Sequence, residues 1–287
     1  MIDISVINSE ISDDIEYSLK FTQSLGINQV EIHRAFGKNI ENINEDEAKQ
    51  LNGLLTKYDL QVSCLSSTLF LRTYIDGRED EAPEIKGFTA APGNFKTHMD
   101  RLPHIFRIAE ILDTPFIRVF GFQKISEFND VVFAHAVDRF SQPAKIARDA
   151  GYTLVMENCP HTNFGWGANA AKLVKAVNSP AFRLLWDPAG GVRAGEPDCI
   201  AAISEILPLT THLHAKDIRR LPGGGREYLA VGQGQVPWPT IIQELDKHNY
   251  SGAISLEPHY KSQDGTSAGA VIESYKGLDQ IIQSIHP

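Results

Sequence analysis

A chain of 287 residues, 42% hydrophobic and 22% charged, has the apolar content of an ordinary soluble globular protein, and its length suits one α/β barrel as well as two smaller domains. Lys+Arg 27 against Asp+Glu 36 leaves a formal charge of −9, which excludes nucleic-acid binding through a general basic field though not through a local cleft. No apolar run approaches the ~18 residues of a membrane span, and residues 1–6 lack the basic and apolar regions of a secretory signal. Three scattered cysteines (Cys64, Cys159, Cys199) without a CxxC exclude a disulfide framework. A protein of the reducing cytoplasm, bound to neither membrane nor nucleic acid, is expected.

Along the chain, short β-rich runs alternate with longer helical patterns. Residues 2–7 alternate as a strand, and Ser12-Asp13-Asp14 then starts a helix that Gly26 stops. Residues 29–33 form a second strand. Asn44-Glu45-Asp46-Glu47 opens the next helix with an acidic first turn that suits its dipole. A third strand at 61–65 leads into a long polar stretch, 68–94, whose length points to a functional lid or wall. Residues 96–112 read as a helix interrupted near its start by Pro103, 115–122 as a strand, and 130–150 as a helix stopped by Gly151. Four further strands follow at 153–158, 182–187, 211–216 and 253–257. Helices are expected at 168–177, 197–207, 239–248 and 268–285. Eight βα units with no linker-like break predict one domain, 1–287, folded as a (β/α)8 TIM barrel. The competing doubly wound sheet would carry a glycine-rich phosphate turn after its first strand, and Asn8-Ser9-Glu10 is not one.

Barrel enzymes place their chemistry at the C-terminal ends of strands. Four consecutive ends here read Leu154-Val155-Met156-Glu157-Asn158, Leu185-Trp186-Asp187-Pro188, His212-Leu213-His214-Ala215-Lys216-Asp217 and Ser255-Leu256-Glu257-Pro258-His259. Each runs apolar and then offers an ionisable residue. Three carboxylates brought together at a barrel mouth would repel unless positive charge sat among them, and a divalent cation answers that need. Three carboxylates with one imidazole form an oxygen-rich set suited to Mn2+, Mg2+ or Co2+, and less to Zn2+.

These residues resemble the xylose isomerase-like TIM-barrel superfamily, the sugar phosphate isomerases and epimerases with their apurinic-endonuclease cousins. The resemblance runs through nearly the whole chain. It is most specific in the segment His212–Asp217, in Tyr228-Leu229-Ala230-Val231-Gly232-Gln233-Gly234-Gln235-Val236-Pro237-Trp238, and in the final Asn249-Tyr250-Ser251-Gly252-Ala253-Ile254-Ser255-Leu256-Glu257. It implies Glu157, Asp187, His214 and Glu257 as metal ligands, Glu157 and Glu257 as the acid/base pair, and Arg220 as a substrate contact. Two positions depart from the family's epimerases: Gly190 stands where a histidine is usual, and Asn163 where a glutamate is. A trinuclear zinc nuclease would need several more histidines.

Strand parity adds Glu31, His33, Arg118 and Lys216 as inward residues able to hold substrate hydroxyls or a carboxylate, or to form internal ion pairs. Arg193 and His259 read as solvated loop positions within reach of the mouth, and Cys159 as packing. The glycines of 223–225 read as a loop rather than a phosphate cradle. Phe164, Trp166 and Trp238 either wall off the mouth or pack its rim. The expected activity is isomerisation or epimerisation of a small sugar or polyol ketone: one glutamate takes the proton beside the carbonyl and the other returns it, through an enediolate. A dehydratase of a keto-inositol or dehydroshikimate-like acid would share the proton abstraction but expel a hydroxyl. An abasic-DNA nuclease and a non-catalytic binding barrel rank lower, and a homo-oligomer is left open.

Overall fold

A computed structural model describes residues 2–75, 78, 81–86 and 88–285. Eight parallel strands, numbered here β1 to β8, run Asp3–Val6, Gln29–Ile32, Gln61–Leu65, Phe116–Phe120, Thr153–Glu157, Phe182–Trp186, Thr210–Ala215 and Ala253–Leu256. They form one sheet in the order β1-β8-β7-β6-β5-β4-β3-β2, and a parallel bridge between Ile7 and Glu31 closes it into a barrel. The α/β TIM barrel read from the sequence is the fold. The strands begin and end within a residue or two of their predicted bounds, because each is a short β-branched or apolar run between polar breaks.

The helices follow local chemistry. Asp14 caps Ile15–Ser24, and Asn44 with Glu47 makes a reciprocal capping box on Glu45–Lys57. Asn129 accepts from two backbone N–H groups at the start of Asp130–Ala150, which ends at Gly151 in the left-handed conformation that suits glycine. The expected helix at 96–112 is divided into Phe95–Asp100 and Leu102–Ile111. Pro103 has no N–H for the carbonyl of the preceding turn, so the chain restarts there. At 197–207 the expectation fails: only Ile203–Ile206 is α-helical, followed by a 3-10 turn at Leu207–Leu209. A helix at Pro188–Ala194 stands directly after β6 instead, capped by the Asp187 side chain and closed by Gly195. The strict alternation of eight strands with eight helices is thereby modified.

Outside the strands, apolar side chains from strands and helices form one continuous core, with Phe70, Phe122, Phe140 and Phe182 among its largest buried members. Stacked and edge-on ring pairs link them, Phe122 and Phe140 at 4.4 Å and Phe140 and Phe182 at 4.9 Å. A smaller inward cluster of Cys64, Val155 and Leu185, with Phe116 packed on it, fills the barrel. Three unpaired cysteines are all buried.

The stretch 68–94 is no loose lid. Residues 76, 77, 79, 80 and 87 lie outside the described residues; of the remainder, Leu69, Phe70, Leu71 and Ile75 are fully buried. His98 anchors its two ends, accepting at Nδ1 from the Phe70 N–H (3.2 Å) while Nε2 meets the Gly93 carbonyl (3.1 Å). Acceptance at Nδ1 requires a neutral imidazole. Burial, reinforced by Arg101 and Arg72, lowers the His98 pKa to about 4. The unfolded chain therefore binds this proton more tightly than the folded one. His98 should leave stability intact above pH ~6.5 and withdraw as much as ~3 kcal/mol as pH falls to ~4. Urea denaturation at pH 7, 6 and 5 should show that decline, and H98Q should flatten it.

Candidate active site

The C-terminal ends of the barrel strands, β1 and β2 among them, open on a cavity of about 460 Å3 lined by residues that include Arg118, Glu257, Glu10 and His33. A narrower pocket beneath its wall is lined by Glu157, Asp187, Lys216 and Glu257. All four strand-end residues read from the sequence, Glu157, Asp187, His214 and Glu257, are buried at this level. Three of them converge: His214 Nδ1 lies 3.1 Å from Glu257 Oε2 and 3.8 Å from Glu157 Oε1. One donor atom from each falls within 4.8 Å of the others, the spacing of a cation site.

Asp187 joins them indirectly. Its Oδ2 pairs with the Lys216 ammonium at 3.0 Å, and Lys216 pairs in turn with Glu257. Its Oδ1 accepts the Gly190 N–H at 2.8 Å, so the residue that ends β6 also caps the following helix. Asn158 holds it from below, accepting the Asp187 N–H at 2.7 Å and donating to the Asp187 carbonyl at 2.8 Å. A Cβ at position 190 would run into the Asp187 carboxylate and the Asn158 carbonyl. Glycine at position 190 is thus required by this packing.

The positive charge that three carboxylates demand is partly supplied by the chain itself. Arg118 donates to Glu157 at 3.1 Å and to the carbonyls of Ser67 (3.1 Å) and Ser66 (3.0 Å). Burial alone would lower the Lys216 pKa, but Asp187, Glu257 and Glu157 raise it well above the ordinary lysine value. Burial pushes the Glu157 carboxyl up against the pull of Arg118. Glu257 is held well below the usual range, because Lys216, His259 and His214 outweigh its burial.

His214 is oriented from behind. Its Nε2 meets Glu31 at 3.1 Å, and His212 Nε2 reaches the same carboxylate at 2.7 Å and Ser255 Oγ at 2.9 Å. A carboxylate only accepts, so His214 Nε2 carries the proton and Nδ1 faces Glu257 and Glu157. That buried Nδ1 has no hydrogen-bond partner. An imidazole nitrogen held in place by a carboxylate behind it and facing two further carboxylates becomes, once its proton is displaced, part of a donor set for a divalent cation. Burial works against protonation of His214, yet Glu31 and Glu257 prevail and raise its pKa to about 10, a second sign of strong negative field at this point.

The remaining sequence candidates separate. Glu31 is fully buried beneath the mouth and contacts histidines rather than the cavity. His33 lines the cavity; Ser9 holds its Nδ1 at 2.8 Å, while the buried Nε2 is unpartnered. Burial, with Arg118 nearby, lowers the His33 pKa to about 3, which keeps the ring neutral. Arg220 does not line this cavity: its guanidinium donates to the carbonyls of Val192 (2.8 Å) and Glu196 (2.8 Å) on the adjoining surface. Arg193 and His259, read as solvated, line the mouth instead. The His259 ring lies 3.0 Å from Glu257 and 3.5 Å from Glu10. Cys159 is packed against Leu71, Ala90 and Phe120, and burial pushes its thiol up to about 12. Phe88 and Tyr228, rather than Phe164 or Trp238, are the aromatic walls. Phe88 comes from the 68–94 segment, which also lends Lys86 and Thr89 to the lining.

Asp217, next to Lys216, fixes the far wall. Its carboxylate accepts the N–H groups of Ile218 (2.9 Å), Gly232 (2.9 Å), Gly234 (2.9 Å) and Val236 (3.0 Å). This ties the base of an antiparallel hairpin, Asp217–Arg220 with Arg226–Leu229, to β7. Glycines 223 and 224, both at φ 88°, make its turn.

Residues 19–280 match the family model described as xylose isomerase-like TIM barrel, and the chain belongs to that family. It is 27% identical over 150 residues to a D-psicose 3-epimerase of Agrobacterium fabrum, covering 51% of this chain and 48% of that one. The chain spans about half the length of the curated relatives it matches. Among solved structures, the IOLI protein with a binding zinc atom superposes at TM-score 0.76 with 15% identity over 99% of both chains. The probable 3-DHS dehydratase AsbF of Bacillus anthracis does so at 0.70 with 17% identity, over 94% of this chain and 98% of that one. Among the described residues no helix is long and apolar enough to cross a membrane.

Replacing Asp217 by alanine would strand the buried N–H groups of Ile218 and Val236, each costing about 1–3 kcal/mol, and release the part-buried ones of Gly232 and Gly234. D217A should lower the urea midpoint by an amount equivalent to at least ~3 kcal/mol. D217N, which keeps one acceptor oxygen, should lose clearly less.

Proposed function

We propose that this protein is a divalent-metal-dependent isomerase or epimerase of a small sugar or polyol ketone. The observation that carries this reading is the convergence of Glu157 and Glu257 on the unpartnered Nδ1 of His214. Glu157, His214 and Glu257 would hold the cation, with Asp187 as the fourth ligand if it exchanges the Lys216 ammonium for the metal. Mn2+, Mg2+ or Co2+ suits the carboxylate-rich set better than Zn2+. Such an ion, when bound, polarises a carbonyl and lowers the barrier to removing the adjacent proton.

The chain's own groups do the rest. Glu157 and Glu257 come from strands β5 and β8 and approach the cavity from different sides, so one can take the proton beside the carbonyl while the other returns one. Arg118 and Lys216 hold these carboxylates in place against their mutual repulsion. Lys216 is itself a charged group for a substrate oxygen. His33 offers a neutral ring nitrogen to a hydroxyl, and Phe88 and Tyr228 narrow the access of water. Glu31 acts as a positioning residue through His214.

Calorimetric titration of Mn2+, Mg2+, Co2+ and Zn2+ into the chelator-treated protein should give one site per chain. E31Q should weaken it ~10–100-fold, as loss of a partner behind a ligand histidine does. With metal occupancy matched, E157Q and E257Q should each lose ~10²–10⁴-fold in turnover. A panel of ketoses, ketose phosphates, inosose and dehydroshikimate in D2O identifies the reaction: an isomerase returns product deuterated at the abstracted or adjacent carbon. Accumulation of an ultraviolet-absorbing unsaturated product without deuterated isomer would establish the dehydratase instead.

A further inference from the structure

The cavity is electrically divided. Its two lining carboxylates, Glu257 and Glu10, both meet His259, and Glu257 also meets Lys216, whereas its outer wall carries cations without carboxylate partners. Arg193 stands in the last turn of the helix Pro188–Ala194. It donates through Nη1 to the Tyr228 hydroxyl (3.2 Å) and through Nη2 to His161 Nε2 (3.1 Å). A guanidinium only donates, so His161 accepts and is neutral. Burial, together with Arg193 and Arg226, lowers the His161 pKa, which places both arginines in its field. Arg226 shares a hairpin strand with Tyr228 and, two residues away, the same face; both line the cavity. Lys86 lines it from the 68–94 segment. Among the described residues none of Arg193, Arg226 and Lys86 forms an ion pair, in a chain whose net charge is −9 and in which the other two arginines of the cavity, Arg34 and Arg118, are each paired with a carboxylate.

Three uncompensated cations facing one cavity, one of them held half-buried by two neutral partners, form a receptor for an anion. Arginine donors in a fixed fork match the oxygens of a carboxylate or phosphate. We infer that the substrate is an anionic sugar or polyol ketone, bearing a phosphate ester or a carboxylate at the end remote from the carbonyl, which Arg193 and Arg226 clamp at the rim while the carbonyl end rests over Glu157 and Glu257. This rests on the ketone-enzyme reading above and gives it a substrate class. A cavity of about 460 Å3 has room for both ends of such a molecule.

The test compares D-fructose, D-fructose 6-phosphate and 5-keto-D-gluconate by calorimetric titration into metal-free protein, with inorganic phosphate and glycolate as fragment probes. At least one charged ketone should bind ~10–100-fold more tightly than D-fructose, and the corresponding fragment should compete with it. Whether the phosphate or the carboxylate wins assigns the group. R193Q/R226Q should abolish the preference while leaving Mn2+ titration unchanged. Should the double variant unfold, R226Q, at an exposed rim position, should still reduce it several-fold. No charged ketone binding more tightly than D-fructose, or a preference that survives the arginine substitutions, would overturn the inference. Because this readout needs no metal and no turnover, it stays separate from the metal titration that tests the enzyme reading.

Discussion

Four acidic side chains, Glu31, Glu157, Asp187 and Glu257, are buried within one barrel mouth. Burying carboxylates is tolerable only where cations and hydrogen-bond donors replace the lost water. Here Arg118 answers Glu157, Lys216 bridges Asp187 and Glu257, and two imidazoles share Glu31. Removing a single partner would leave a charge in a medium that cannot screen it.

Strand β7 is the spine of this arrangement. Its alternate inward positions, His212, His214 and Lys216, contact Glu31, Glu257 and Asp187 in turn, linking β2, β8 and β6 through side chains. Immediately beyond, Asp217 gathers four backbone N–H groups and Trp238 donates to the Lys216 carbonyl at 3.2 Å. One six-residue stretch, His212–Asp217, therefore sets both the floor of the site and the hairpin that walls it.

Much of this was legible in the chain. Strands that run apolar and then end on an acid or histidine announce both their limits and their inward parity, so the barrel and its four ionisable ends could be read locally. Parity does not give depth. Glu31 and His33 share a face, yet one lies under the mouth and the other at it, because the barrel closes over the first. Partner choice was equally hidden: that Lys216 takes up Asp187, or that Arg220 turns to the Val192 carbonyl, depends on contacts between segments distant in sequence. The mislaid helix at 197–207 has the same origin. The Asp187 side chain starts a helix at Pro188, well before the expected one, and the polar run Glu196-Pro197-Asp198 follows as its exit. His98 and His161 carry no periodic or motif signal at all, and nothing local shows that Arg193 reaches Tyr228 and His161.

Gly190 carries a consequence for substitution. Its α-hydrogens are all that the Asp187 carboxylate and the Asn158 carbonyl leave room for. Any side chain there would demand a simultaneous rotation of Asp187, and with it the release of a helix cap and of the Lys216 ammonium. No single substitution accomplishes that without loss. Position 190 therefore couples the start of the helix Pro188–Ala194 to the charge balance of the mouth, because a side chain there would disturb the Asp187 cap and its ion pair with Lys216 together.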